Sequence, residues 1–139
     1  CLFPEYVIVN MKTPVFLLES EFDQFQLRFR YDQYDPNFSE CTFNLSMCTK
    51  YQLRVMTDYR NEMIKTLRRV SRKCPSLGMF VHSCIRHGHL YENAGWHLSM
   101  KLANKTIQEA VGDWYFDRSL YRYIDTRHAV PLTLECNKI

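Results

Sequence analysis

The sequence predicts an α/β fold, in which helices cover the strands of a mostly parallel sheet. Two short apolar runs, residues 14–18 and 78–81, have the length and composition of strands that are buried on both faces. Between them, residues 50–72 repeat apolar side chains at helical spacing. Strands that alternate with helices favour βαβ units and therefore a parallel sheet.

The amino-terminal segment, residues 5–11, is compatible with either a helix or a strand. Pro4 suits the first turn of a helix, whereas the β-branched run at residues 6–9 favours a strand. Both alternatives stay open. A break at residues 12–14 leads into the first predicted strand, and an acidic loop at residues 19–23 follows that strand.

Residues 24–48 are aromatic, polar and rich in turn-forming residues. They predict an inserted surface loop with a short helix at residues 24–29. Thr49 is a good N-cap for the long helix at residues 50–72. The inward face of that helix is predicted to carry Leu53, Met56, Arg60, Met63, Ile64, Leu67 and Val70.

The last third of the chain contains one more predicted helix. Residues 83–101 show no clean period, and residues 104–118 predict a helix that is capped near Asn104. The tail, residues 121–139, is predicted to be irregular and to be held in place by Cys136. The core face of the predicted helix consists of Ile107, Ala110, Val111, Trp114 and Tyr115.

Two candidate catalytic side chains follow the two predicted strands. Asp23 comes after the first strand and His87 after the second, so both should lie at the carboxyl edge of the sheet. In α/β-hydrolases the catalytic triad runs serine, then acid, then histidine along the chain. Asp23 and His87 fit the acid and the base. From position alone, an aspartate after a strand is more often a helix cap or turn former, and a lone histidine more often structural.

The nucleophile of such a triad is not found, because the 139 residues contain no G-x-S-x-G. We therefore expect the C-terminal part of an α/β-hydrolase, over residues 1–139, without the nucleophile-bearing N-terminal part. Triad members act as a unit, which predicts that this chain alone does not hydrolyse esters. The alternative is a truncated copy that serves as a non-catalytic module and binds a polysaccharide or a protein.

Composition argues against several partners. The net charge is only +3, and the basic cluster at the end of the long helix suits the helix dipole, so no nucleic-acid partner is expected. No apolar run approaches the roughly 20 residues of a membrane span, and the start lacks the features of a signal peptide. No C-x-x-C pair is present, and a cluster of His87, His89 and His97 lacks a completing carboxylate or cysteine. No metal or cofactor is expected.

Sequons and cysteines indicate a secreted protein. Asn37, Asn44 and Asn104 begin three N-x-S/T sequons, which is many for so short a chain. Cys41 and Cys48 bracket one sequon and are close enough in sequence for a local disulfide in an oxidising compartment. The remaining cysteines could pair among themselves or with cysteines outside the chain: Cys1, Cys74, Cys84 and Cys136.

Three segments carry recognisable motifs in a fixed order. They are residues 11–23, which contain M-K-T-P-V-F-L-L and then F-D, residues 78–87, and residues 110–118. The second resembles a G-M-F-x-x-S-C-x-x-H pattern and the third an A-V-G-D-W-[YF]-[YF]-[DN]-R pattern, both of the plant pectin acetylesterases. That family is related to the animal carboxylesterase Notum. Cys41 and Cys48 also match a cysteine pair of the family.

The resemblance implies an α/β-hydrolase that hydrolyses acetyl esters on pectin in the plant cell wall. By the same resemblance, Asp23 is the triad acid, His87 is the triad base, and acetylated pectin is the partner. The N-terminal part of the same hydrolase is a further expected partner. A Notum-like lipid deacylase is a third possibility, which would require a large apolar acyl pocket.

The chain departs from the family pattern at three places. It has His82 where the family usually has an acid, and Gly88 where the family has a cysteine after the catalytic histidine. The family's C-terminal C-x-x-x-C-x-x-x-C cluster is reduced to Cys136, because residues 125–129 lack the first two cysteines. These departures imply a disulfide framework that differs from the family's.

Overall fold

The structure is a computed structural model that describes residues 4–88, 96–98 and 100–127. Within these ranges the strands form a three-stranded parallel sheet in the order β1-β2-β3. The strands are β1 (Phe16–Phe22), β2 (Gly78–Ile85) and β3 (Arg122–Ile124). The helices are α1 (Pro4–Ile8), α2 (Gln24–Tyr31), α3 (Phe38–Phe43), α4 (Lys50–Lys73) and α5 (Ile107–Tyr115). The predicted α/β class is confirmed, and the arrangement is that of part of an α/β-hydrolase fold.

Both predicted strands continue beyond their apolar runs. β1 begins at Phe16 and includes the acidic segment that was predicted to be a loop, and β2 runs to Ile85. The reason is backbone pairing, which aligns Phe16 with Gly78 and persists in register to Ser20 and His82. The apolar runs end before the strand pairing does, because the hydrogen bonds between the strands join main-chain groups and do not require apolar side chains.

Residues 24–48 are not a surface loop, and this prediction was wrong. Besides α2, which confirms the short predicted helix, the segment contains α3 and a 3₁₀ turn at Leu45–Met47. Leu27, Phe38 and Cys41 from this segment are fully or almost fully buried against Met56 of α4. Their wide spacing along the sequence hides the apolar face that they form together.

The tail was predicted to be irregular, but residues 122–124 add β3 to the sheet beside β2. Arg122 explains why the chain returns there. Its guanidinium donates hydrogen bonds to main-chain carbonyls at and beyond the end of α4, where the last helical carbonyls have no partner within the helix. Those carbonyls belong to Ser71, Cys74, Pro75 and Leu77.

The helix ends follow their capping residues. The amino-terminal segment, for which both a helix and a strand were possible, forms a helix, α1. The long predicted helix is confirmed as α4, with Thr49 and Gln52 in a reciprocal capping box. The helix predicted from residue 104 begins later, because Thr106 rather than Asn104 is its N-cap. Asn104 instead lies in a turn with a left-handed φ of 63°.

Apolar side chains cover both faces of the sheet and its carboxyl end. On one face, Val81 and Met79 of β2 pack with Leu67 and Val70 of α4. On the other face, Phe80 packs with a cluster contributed largely by α5 and its approach, which includes Leu102, Ile107, Ala110 and Tyr121. A third cluster at the carboxyl end of the strands joins Phe22 to α2, α3 and α4. This third cluster supports the strand end that precedes the candidate site residues.

A close approach beside the amino end of β2 requires glycine. A Cβ atom on Gly78 would lie 2.3 Å from the Phe16 ring and 2.8 Å from the Trp114 ring. Trp114 also donates from Nε1 to the Ser76 carbonyl at 2.9 Å, which agrees with its predicted packing role. Tyr115 was predicted to face the core, but it is 70% exposed, because the helix ends there and turns it away from the sheet.

Candidate active site

The two predicted catalytic side chains meet at the carboxyl edge of the sheet. Nδ1 of His87 lies 2.7 Å from Oδ2 of Asp23, which is hydrogen-bond distance. Asp23 immediately follows β1 and His87 is two residues beyond β2. Because β1 and β2 are paired in parallel, residues beyond their carboxyl ends project from the same edge.

Asp23 uses its two carboxylate oxygens for different contacts. Its Oδ1 atom accepts a hydrogen bond from the main-chain N–H of Gln26 at 2.7 Å, so Asp23 is the N-cap of α2. Its Oδ2 atom faces His87. One carboxylate oxygen therefore fixes the carboxylate to a helix, and the other is left to orient the imidazole.

A bulge at the ends of β1 and β2 sets the meeting point. Ser20 pairs with His82, but Phe22 pairs with Ile85, so β2 contains one extra residue in this interval. The Ser20 hydroxyl donates to the Cys84 carbonyl and accepts from the Phe22 N–H at 3.0 Å. Bulges re-aim side chains next to functional sites, and here the bulge immediately precedes both Asp23 and His87.

His87 is accessible from outside while its partner is not. The His87 side chain is 57% exposed, and the Asp23 side chain only 5%. With Nδ1 directed to Asp23, the Nε2 atom is the nitrogen that remains to exchange a proton with a reactant. Gly88 follows with a φ of 77°, a left-handed conformation that favours glycine over the family's cysteine.

Another carboxylate belongs to the same electrostatic environment. The pKa of Glu19 is raised to about 7, mainly by burial and also by the nearby Asp23 carboxylate, while His87 acts in the opposite direction. Tyr59 lies beside this group and donates from its hydroxyl to Oε1 of Gln26 at 2.7 Å. Burial also raises the pKa of Tyr59, in the same direction as the charges of Asp23 and Glu19. The edge of the site thus combines a fixed aspartate with a carboxyl group that titrates near neutral pH.

A buried ionic network lies directly behind the site. Glu21 is completely buried and accepts from Nε of Arg60 at 2.5 Å, and Arg60 also donates to the Asp125 main-chain carbonyl at 3.2 Å. Burial raises the pKa of Glu21 to about 7, although Arg60 opposes that shift. The Asp125 carboxylate in turn accepts from the Ser83 hydroxyl at 2.8 Å. This network joins β1, α4, β2 and the segment after β3.

The sequence analysis missed this network, but it contained two signals. Arg60 falls at a position of α4 where the helical period calls for an apolar side chain, and Glu21 directly precedes the apolar Phe22 just after the first apolar run. Charged residues are almost never fully buried unless they are paired. Two such exceptions in one domain could have been matched to each other.

The hydroxyl groups of β1 and β2 are committed elsewhere. Ser20 is bound to the Cys84 carbonyl, and Ser83 donates to Asp125. His82 is buried, and its Nδ1 accepts from the Cys84 N–H at 3.1 Å. The described residues therefore bring the predicted acid and base together, and a nucleophile for them would have to approach the exposed face of His87.

The other predicted site residues have different outcomes. The Cys41–Cys48 disulfide is present, as predicted. Cys74 is a free thiol, Cys84 is disulfide-bonded, and the predictions for Cys1 and Cys136 lie outside the described residues. Three asparagines that begin sequons are exposed at Asn37, Asn44 and Asn104.

The three histidines weighed as metal ligands fall partly within and partly outside the described part of the chain. His89 lies outside it, and His97 is exposed. Across residues 4–88, 96–98 and 100–127, no group of three or more His, Cys, Asp or Glu side chains is arranged to hold a metal ion. Over the same residues, none of the helices has the length and apolar character needed to cross a bilayer.

The chain is similar to plant esterases over nearly its whole length. Residues 1–137 match the pectinacetylesterase family. Pectin acetylesterase 4 of Arabidopsis thaliana is 34% identical over 98% of this chain and 34% of its own length. Pectin acetylesterase 5 of the same plant is 32% identical over 90% of this chain and 30% of its own length. The chain thus spans about a third of these relatives. No solved structure matches it.

Proposed function

Because this chain belongs to the pectinacetylesterase family, we propose that it takes part in the hydrolysis of acetyl esters on pectin, with Asp23 as the acid and His87 as the base of a serine esterase. The observation that carries the proposal is the 2.7 Å contact between His87 Nδ1 and Asp23 Oδ2. These residues are 64 positions apart in the sequence, and the exposure of the imidazole suits a group that must reach a substrate.

The chemistry follows from the orientation of the imidazole. With its Nδ1–H donated to Asp23, His87 presents a basic Nε2 that takes the proton of a serine hydroxyl as the oxygen attacks the acetyl carbonyl. The imidazolium then gives this proton to the departing sugar oxygen, which leaves an acetylated serine. A water molecule, deprotonated by the same nitrogen, releases acetate in the second half of the cycle.

The nucleophile and the oxyanion hole belong to residues outside this sequence in our proposal. The 139 residues contain no G-x-S-x-G, and the chain spans about a third of its relatives. The chain would then be the acid- and base-bearing part of a larger catalytic domain. Secretion to the cell wall is part of the same proposal, supported by the Cys41–Cys48 disulfide and the three exposed sequon asparagines.

Acetate release from acetylated pectin tests the role of His87. In the natural-length protein, His87→Ala should lower kcat by about 10⁴-fold or more, because the serine loses its base. His97→Ala is the matched control, since His97 is also an exposed histidine and makes no contact with Asp23 among the described residues. The control should retain the activity of the parent.

Two results would contradict the proposal. Equal acetate release by the His87→Ala protein and its parent would remove His87 from the reaction. A natural-length parent that binds pectin but releases no acetate would instead support the non-catalytic binding module. Thermal unfolding of each variant would show that a loss of activity does not reflect a loss of fold.

A further inference from the structure

Two exposed phenylalanines form a strip on α2 that nothing in the described structure covers. Phe25 is 60% exposed and Phe29 is 80% exposed. They lie one helical turn apart, and their rings stack with centroids 6.2 Å apart and planes 11° apart. Removing a phenylalanine side chain from water is favourable, so an exposed, stacked pair indicates a surface that binds a ligand.

The strip begins at the catalytic histidine. The Phe25 ring centroid lies 5.2 Å from that of the His87 imidazole. Because Phe29 stacks on Phe25 one helical turn further along α2, an aromatic surface continues from Phe25, beside the proposed reaction centre, along the helix. A ligand that lies on both rings would therefore extend directly into the site.

Polar side chains surround the strip and form a concavity with it. This concavity is an open groove with a volume of about 340 Å³, which is within the range of small-molecule sites. Gln26 uses Oε1 to accept from Tyr59, and Gln33 uses Nε2 to donate to a main-chain carbonyl. The Nε2 of Gln26 and the Oε1 of Gln33 are the amide groups available to a ligand. The lining consists of Phe25, Gln26, Phe29, Arg30, Gln33 and Tyr59.

Arg30 gives the groove a positive charge. Its side chain is 55% exposed, and its contact with the still more exposed Glu62 is loose at 3.9 Å. Exposed pairs of this kind contribute little to stability. The guanidinium can therefore turn from Glu62 to an incoming carboxylate, with which it can form two parallel hydrogen bonds.

We propose that the Phe25–Phe29 strip and Arg30 form a subsite for the uronic-acid backbone of the substrate, next to the acetyl ester that is cleaved. This inference rests on the proposed function. A pyranose ring has an apolar C–H face that matches the negative face of an aromatic ring, and each galacturonate unit carries the carboxylate that Arg30 would bind. The two features together fit an acidic sugar chain better than a neutral apolar acyl group.

The first test compares substrates that do and do not contain the sugar chain. In the natural-length protein, Phe29→Ala should raise the KM for acetylated oligogalacturonides by about tenfold, as expected for the loss of one stacking contact. The ratio of kcat/KM between that substrate and 4-nitrophenyl acetate should fall by the same factor. Phe116→Ala, a 65% exposed phenylalanine at the end of α5, should leave this ratio at the parent value.

The second test separates charge from stacking. Arg30→Gln should raise the KM for acetylated oligogalacturonides severalfold, and the effect should disappear when the galacturonate carboxyls are methyl-esterified. The Phe29→Ala effect should persist on both substrates. An Arg30→Gln effect of equal size on the neutral substrate would overturn the assignment of the carboxylate to Arg30.

Calorimetric binding of de-esterified hexagalacturonate keeps this inference separate from the esterase proposal. If the parent releases no acetate but binds hexagalacturonate, and Phe29→Ala weakens that binding about tenfold, the subsite stands without the esterase. If acetate release is normal and Phe29→Ala alters neither KM nor binding, the subsite is wrong. A lower melting temperature for Phe29→Ala with unchanged binding would also overturn it, since the strip would then be packed against another segment of the protein.

Discussion

The carboxylates of Glu21 and Asp23, at the end of β1, are separated by a single residue, yet their partners place them in different environments. Glu21 is fully buried and pairs with Arg60, which is itself only 7% exposed. Asp23 is almost as buried, but its partner His87 has a 57% exposed side chain. Both members of the Glu21–Arg60 pair are buried. In the Asp23–His87 pair, only Asp23 is buried and His87 is open to solvent.

The difference separates a buried ion pair that stabilises the fold from a carboxylate–imidazole contact that is open to solvent on the imidazole side. Removing one member of a sealed pair leaves an uncompensated charge inside the protein, which costs about 3–5 kcal/mol. Removing the exposed imidazole leaves Asp23 with its helix-capping bond to Gln26. We therefore expect substitutions at Glu21 and Arg60 to act on stability, and substitutions at His87 and Asp23 to act mainly on activity.

The largest expected effect is that of Asp23→Asn on activity. Asparagine can still cap α2 with its oxygen, but it would present an N–H₂ group to His87 and favour the wrong tautomer. We expect acetate release by the natural-length protein to fall by about 10⁴-fold, with little change in melting temperature. Full activity in this variant would break the comparison, since Asp23 would then be only a cap.

Asp23→Ala is the companion to that experiment. It removes the helix cap as well as the acid, so it should lower activity similarly and reduce the free energy of unfolding by about 1 kcal/mol. The difference in stability between the alanine and asparagine variants isolates the capping role. Equal melting temperatures for the two variants would show that the Gln26 hydrogen bond contributes nothing.

The next largest effect is that of Arg60→Met on stability. The substitution leaves Glu21 buried without its guanidinium, and the Asp125 carbonyl without a donor. We expect the free energy of unfolding, measured with urea, to fall by about 3–5 kcal/mol. Replacing both members, in Glu21→Leu with Arg60→Met, should recover most of that loss because no charge then remains unpaired.

The exposed pair Arg30–Glu62 supplies the control for that measurement. Glu62→Gln removes a contact of 3.9 Å between two largely exposed side chains and should change the free energy of unfolding by less than about 1 kcal/mol. A loss as large as that of Arg60→Met would show that burial does not explain the sensitivity of the Glu21 pair.

A smaller effect than that of Arg60→Met is expected at Glu19, another carboxylate of β1, which has no ion pair within the described residues. Its pKa is raised to about 7 from an ordinary value of 4.5. The folded state therefore holds the proton more tightly than the unfolded state, and this group destabilises the fold as the pH rises from about 4.5 to about 7. Glu19→Gln should be about 1–2 kcal/mol more stable than the parent at pH 8.

Melting temperatures across pH 4 to 8 check this prediction. The two proteins should melt together near pH 4, where Glu19 is protonated in both the folded and the unfolded state, and they should diverge as the pH rises. A constant offset at all values of pH would mean that the glutamine acts by packing and not by removing a charge.

The sequence predicted the parts of this molecule that depend on local pattern. The period of α4, the capping by Thr49 and the apolar runs of β1 and β2 are encoded within windows of a few residues. Asp23 and His87 were predicted from their order after two strands and from family motifs, and the structure brings them together. Their roles in catalysis remain part of the proposal.

The parts that the sequence did not predict depend on contacts between residues that are distant in the chain. β3 has only three residues, and it exists because β2 and the end of α4 offer partners to residues 122–124. Arg60 was placed on the inward face of α4 from its spacing, but only the fold shows that Glu21 meets it there. In residues 24–48 the short helix α2 was predicted, but α3 was missed because it depends on burial against α4, which no local window can reveal.

The guanidinium of Arg122 also makes the order of folding depend on the order of synthesis. α4 and the carbonyls at its end leave the ribosome well before Arg122 does. Until Arg122 arrives, those carbonyls can accept hydrogen bonds from water but not from its guanidinium. Its final turn should become protected from solvent exchange only after β3 has joined β2. A nascent chain released before residue 122 should therefore contain α4 with a frayed end, and the arrival of one arginine should close it.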